Sequence, residues 1–204
     1  MFVQIIRGPV ADGQEALATV QRWLDEIRPD AIGWVGTTAG VSDAGELFLQ
    51  ARFTSEEDAQ RNSDRPEQSA WWEEMEACFS GPITFHNCRD VATMLDGGDE
   101  ECRFVQIMEW PDAGSHSAHE LAEMGERMVR EHRPDVHGSL ICVDEDGVTL
   151  ETIYFSSEEE ARRAEAQEMP TEVADEFRRM MREMGEPTYH DLHTPVMALP
   201  AMSR

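Results

Sequence analysis

Apolar positions crowd residues 2–6, where Phe, Val and Ile dominate around a single Gln, and this predicts a strand. The pattern then changes. Ala16, Leu17, Val20, Trp23, Leu24 and Ile27 recur at helical spacing, so residues 14–28 read as an amphipathic helix stopped by Pro29. Residues 31–38 and 45–53 return to strand character and are joined through Gly40, Asp43 and Gly45, a hairpin signal. Thr54-Ser55-Glu56-Glu57 has the hydroxyl cap and acidic first turn of a helix start. That helix runs to about Asn62 and breaks at Ser63-Asp64-Arg65-Pro66. A second helical piece spans 67–79, and a strand spans 82–88. The order is β-α-β-β-α-β.

After a polar stretch at 92–102 the same order recurs. Strand 103–109, helix 116–132, strands 137–143 and 148–155, a helical pair over 157–184 and strand 187–192 follow. The recurrence is legible in the residues themselves. Phe2-Val3-Gln4-Ile5 returns as Phe104-Val105-Gln106-Ile107, and Arg28-Pro29-Asp30 as Arg133-Pro134-Asp135. Gly33 is set against Gly138, Phe53 against Phe155, and Phe85-His86-Asn87 against Tyr189-His190-Asp191. The spacing between copies changes at loops and is steady within strands. The chain thus divides into a first unit at 1–95, an acidic linker at 96–102, and a second unit at 103–204 whose tail, 194–204, is expected to lie across the barrel or fray. A βαββαβ unit is a ferredoxin-like four-stranded antiparallel sheet with two helices on one face. The bare face needs a cover. The expected fold class is therefore α+β: two tandem ferredoxin-like units forming an intrachain pseudo-dimeric α/β barrel, a monomer with higher oligomers left open.

Composition narrows the function classes. The 204 residues carry 42 acidic and 17 basic side chains, a net charge of −25, which repels phosphate backbones and anionic bilayers; neither nucleic acid nor membrane is an expected partner. All 17 basic residues are arginine. The absence of lysine excludes Schiff-base chemistry and a P-loop. Cys78, Cys88, Cys102 and Cys142 lack CxxC spacing and read as reduced thiols of a cytoplasmic protein. No apolar run is long enough to span a bilayer, and no signal segment precedes the first strand.

The FVQI opening, the hairpin ending in Ala51-Arg52-Phe53-Thr54-Ser55-Glu56-Glu57 with its echo Ile153-Tyr154-Phe155-Ser156-Ser157-Glu158-Glu159, and the broken second helix resemble the dimeric α/β-barrel superfamily. Within it the likeness is to the antibiotic biosynthesis monooxygenase group, here with the domain duplicated in one chain. The resemblance implies a pocket between the sheet and the second helix, where an Asn and a Trp hold substrate. It also implies oxygen chemistry without a cofactor. Haem-degrading relatives carry a histidine on that helix, and none occurs here at 55–79 or 157–184.

The two copies differ most in that region. The first has Asn62, Asp64, Arg65, Trp71 and Trp72; the second has Ala164, Ala166, Gln167, Val173 and Ala174. Asn62, Arg65, Trp71 and Trp72 are therefore candidate substrate-binding residues for a small aromatic ligand, an indole stacking on a flat ring and the amide orienting its oxygen. The competing reading is a capped helix packed by two core tryptophans. His86 is the candidate base, against a structural role shared with His190. Arg52 is a candidate anion partner, against an ordinary ion pair. His116 and His119 suit a solvated helix face, His132 and His137 a structural turn, and Met124, Met128, Met180, Met181 and Met184 adaptable core filling. No metal set and no cofactor motif is read. Two functions follow: a cofactor-independent monooxygenase acting on a small aromatic or quinol-type compound, or a non-catalytic small-ligand-binding or interaction protein.

Overall fold

The computed structural model describes residues 1–99, 101–111, 114, 116–168 and 170–199, with backbone alone at 172, 176 and 181. The end of the tail, 200–204, and the Met181 side chain lie outside the described residues. The chain divides into two compact units. One holds residues 1–89 and takes back residues from Leu192 onward; the other begins at Asp90 and runs to Asp191.

In the first unit, β1 (Phe2–Pro9) lies between β3 (Glu46–Phe53) and β4 (Thr84–Cys88), and β2 (Trp34–Val41) flanks β3. The helix α1 (Gly13–Arg22) is capped by Asp12, whose carboxylate accepts from the amides of Gln14 and Glu15. It continues through a π-helical turn, Trp23–Ile27, that brings Trp23 and Leu24 into the core. The second helix is broken as the sequence predicts. α2 (Glu56–Ser63) is capped by Ser55, and α3 (Pro66–Ala77) starts with proline in its first turn, where the missing N–H costs nothing.

The second unit repeats this with β6 (Phe104–Trp110), α4 (Ala118–His132), β7 (Val136–Val143), β8 (Thr149–Phe155), α5 (Glu158–Glu165), α6 (Thr171–Met184) and β9 (Thr188–Leu192). Ser117 and Glu120 form a capping box at the start of α4.

Each sheet has five antiparallel strands, not four. The fifth strand of the second sheet is β5 (Asp90–Met94), paired with β7 from Asp90 opposite Val143 to Met94 opposite Ser139. The fifth strand of the first sheet is β10 (Val196–Ala198), paired with β2. The boundary therefore falls at Arg89, ahead of the expected 95. Residues 92–94 are ladder and not linker, and part of the tail is an edge strand. The equivalence of Gly33 with Gly138 also changes. Trp34 pairs with Phe53 and Val136 with Phe155, each just before a bulge, so Gly138 matches Gly36 and Trp34 matches Val136. The three-residue difference between copies lies in the turn before the strand.

Candidate functional site

Strand alternation sorts the expected residues of the first unit onto two faces. His86, Ile5, Gln50 and Thr38 stand in one row across the sheet, with Arg52 on that same face opposite Val3. Phe85, Ile6 and Leu49 stand in the next row, on the helix side, where Phe85 meets Trp72 at 5.6 Å between ring centroids. The structure thus brings Asn62, Arg65, Trp71 and Trp72 together and leaves His86 and Arg52 across the sheet from them. A base at His86 cannot reach a ligand stacked on those indoles.

The helix-side residues are also occupied with one another. Asn62 is buried; its amide donates to Gln68 Oε1 at 3.3 Å and its oxygen accepts from Arg65 Nη1 at 3.2 Å. Gln68 Oε1 accepts from Trp23 Nε1 at 2.7 Å, which closes the set. Trp71 donates to the Thr19 carbonyl at 2.9 Å and lies 6.3 Å from Trp23 and 6.2 Å from Trp72. Trp23 in turn contacts Trp34 at 6.2 Å. These tryptophans, with Ile6, Leu49 and Met75, are the core of this unit. The N–H groups of Trp23, Trp34 and Trp71 are satisfied within the unit and the rings face one another, the arrangement of packed core tryptophans.

The corresponding space in the second unit is a cavity of about 630 Å³ between the sheet and α4, α5 and α6. It exists because the indoles have been replaced. Met128 stands where Trp23 does, at the helix position five residues ahead of Arg-Pro-Asp in each copy, and Val136 stands where Trp34 does; both line the cavity. Its helix side is soft and apolar, with Leu121, Met128, Phe177, Met180 and Met184. Exposed Gln167, Glu168 and Pro170 lie at its rim, between α5 and α6.

The sheet wall carries the chemistry. Thr149, Glu151, Ile153 and Phe155 project from alternate positions of β8 into the cavity. Glu151 sits between Met108 of β6 and Ile141 of β7, so apolar groups flank its carboxyl within the wall. Its remaining exposure is to the cavity. Burial pushes the carboxyl up to about 7, with the Ser139 hydroxyl acting the other way. Thr149 Oγ1 is buried in the same wall with no hydrogen-bond partner among the described residues. At the far side Gln106 Nε2 donates to Asp191 Oδ1 at 2.8 Å, and Asp191 also pairs with Arg162, whose guanidinium lies 5.2 Å from the Phe104 ring. The first unit keeps the equivalent contact between Gln4 and Asn87 at 2.9 Å, without a charge.

Sequence reasoning missed Glu151 and Thr149, although the repeat contains their signal. The helix-facing positions of β3 are Leu47, Leu49, Ala51 and Phe53; those of β8 are Thr149, Glu151, Ile153 and Phe155. A carboxyl at the place of a core leucine marks the divergent half.

The chain matches no family model and no curated protein sequence. Among solved structures it is similar over nearly its whole length to several proteins. A presumed monooxygenase from Fusobacterium nucleatum aligns with a TM-score of 0.74 at 8% identity, covering 97% of this chain and 94% of that one. A presumed monooxygenase from Lactobacillus acidophilus gives 0.70 at 10% identity, covering 97% and 95%. An anthrone oxidase-like protein gives 0.66 at 10% identity, covering 98% and 96%. No helix among the described residues is long and apolar enough to cross a membrane. The chain thus shares the fold of these three proteins over nearly its whole length, with the ferredoxin-like unit present twice in one chain.

Proposed function

We propose that the second unit binds a small aromatic or quinol-type compound and oxygenates it without a cofactor, with Glu151 as the proton acceptor. The observation that carries this reading is a carboxyl pushed up to about 7 by burial in the wall of a mostly apolar, ligand-sized cavity. A base with a pKa near the working pH is both available and strong enough to take an activated proton.

The chemistry balances with dioxygen as the sole co-reactant. Glu151 removes a proton from an activated ring methylene or its phenolic tautomer. The electron pair left on carbon passes to O₂, and a C–O bond forms to give a hydroperoxide. Loss of the second C–H proton as the O–O bond breaks leaves a carbonyl, and the other oxygen atom departs as water. The Thr149 hydroxyl is placed to donate to the developing oxyanion, and the methionine wall excludes water. His86, Asn62, Arg65, Trp71, Trp72 and Arg52 have no part in this step.

Oxygen uptake with anthrone- and naphthoquinol-type compounds tests it. One O₂ consumed per substrate, with kcat/KM rising as pH passes about 7, is the expected result. Uptake equal to that of buffer across the panel, or an unchanged rate in Glu151→Gln, overturns it; ligand binding without uptake leaves the non-catalytic binding protein.

A further inference from the structure

A second cluster in the same unit lies away from the cavity chemistry. Asp99, Cys102 and His137 bring a carboxylate, a thiol and an imidazole together with all three donor atoms within 4.8 Å of one another. Asp99 Oδ2 lies 2.9 Å from His137 Nδ1, and the Cys102 thiol lies 3.6 Å from Asp99 Oδ1. Asp99 Oδ1 also accepts from the Glu101 amide at 2.8 Å. Asp99 and His137 are partly exposed and Cys102 is buried.

The backbone goes to unusual lengths to make this meeting. Four consecutive residues, Leu95, Asp96, Gly97 and Gly98, have φ of 47°, 63°, 82° and 87°. Leu95 and Asp96 are not glycines, so this left-handed run carries strain. It lays the segment directly on β7: a Cβ on Gly138 would sit 2.4 Å from the Gly98 nitrogen. His137 is the extra residue of the β7 bulge, the device that re-aims a side chain out of the ladder. The first unit has the same bulge with Val35 in this place. Glycine at 138, strain at 95–96 and histidine at the bulge all serve the convergence of these three side chains.

We propose that Asp99, Cys102 and His137 form a binding site for a borderline-soft divalent cation of the zinc class. One thiolate, one imidazole and one carboxylate are a zinc donor set, and three protein ligands leave a fourth position for water on the exposed side. Drawing the donors to metal distances of about 2.0–2.3 Å needs small side-chain movements from the spacing present. As the metal–sulfur bond forms, the Cys102 thiol gives its proton to water and the cation replaces it on sulfur. Spacing rules do not see such a set, since His137 is far along the chain from Asp99 and Cys102. The inference is independent of the cavity.

Cobalt(II) added to the metal-free full chain is the probe. One equivalent should produce a thiolate-to-cobalt charge-transfer band in the near ultraviolet, and zinc should abolish the band by displacement. Cys102→Ser should remove the band, whereas Cys142→Ser should retain it. Removing a second-shell group typically costs about 10–100-fold in affinity, so loss of a ligand in His137→Val or Asp99→Asn should cost at least that. His137→Val carries the residue of the other copy and is the variant best placed to stay folded, as circular dichroism will report. No band in the wild-type chain, or an unchanged band in Cys102→Ser, overturns the proposal and leaves a hydrogen-bonded clasp.

Discussion

The two units use one strand plan to opposite ends. In the first, Trp23, Trp34 and Trp71 fill the space between sheet and helices, their N–H groups donating to Gln68, Thr37 and the Thr19 carbonyl, and Asn62 and Arg65 tie to one another and to Gln68. In the second, Met128 and Val136 take two of those places, the space is open, and Glu151 and Thr149 face it. Four of the five tryptophans are in the first unit. Aromatic richness therefore marks the half that is solid, and a lone carboxyl on a core-facing strand marks the half that is hollow. Each unit has its own core cluster, so a duplicated domain can keep one copy packed and open the other.

The sharpest way to break this contrast is Glu151→Gln. If the cavity is catalytic, kcat should fall by about 10²–10⁴, the usual worth of a positioned base, while binding of a naphthol probe persists. A fall in binding with no fall in turnover of bound substrate would place the carboxyl in recognition alone.

Emptying the solid half comes next. Trp71→Ala should cost about 3–5 kcal/mol in denaturant unfolding, the range for a large buried ring. A loss of less than about 1 kcal/mol would mean that Trp71 is not core. Filling the hollow half is the converse: Met128→Trp should weaken naphthol-probe binding by at least about tenfold, corresponding to about 1.4 kcal/mol, without lowering the melting temperature.

A fourth test uses the cost of the carboxyl itself. An unfolded glutamate titrates near 4.5, and Glu151 in the folded chain at about 7. Between these values the folded state holds a proton that the unfolded state has lost, so stability falls as pH rises through the window and stays lower above it. The difference is worth roughly 3 kcal/mol. Glu151→Leu, the residue of the other copy, should therefore stabilise the protein at pH 8 far more than at pH 4, read as melting temperature against pH. The smallest effect is Asn62→Ala, expected to cost about 1 kcal/mol of stability and to leave probe affinity unchanged.

The duplication made most of the strands and both hairpins legible in the sequence, since residues such as Phe53 and Phe155 hold their register in both copies. Asp90–Met94 and Val196–Ala198 were not legible as strands. They are short, one runs into an acidic segment and one follows a proline, and each exists through its partner more than through its own propensity. The copies differ in aromatics at Trp71 and Trp72, and that difference points to binding residues there. That difference was real, but a tryptophan stacked on its own neighbours fills a core as readily as it holds a ligand. Leu49 against Glu151 was the more telling pair, because burying a carboxyl has a cost that packing alone does not explain.

The edge strand β10 has a consequence for synthesis. The first unit emerges from the ribosome before the second, yet the strand that borders its β2 emerges only after the second unit's strands and helices. At about 5–20 residues per second, Trp34–Val41 waits on the order of ten seconds with that edge unpaired. An open edge is an aggregation hazard during such an interval. The N-terminal half made alone would keep that edge for good, whereas a circularly permuted chain beginning near Leu192 would deliver the strand at the start of translation.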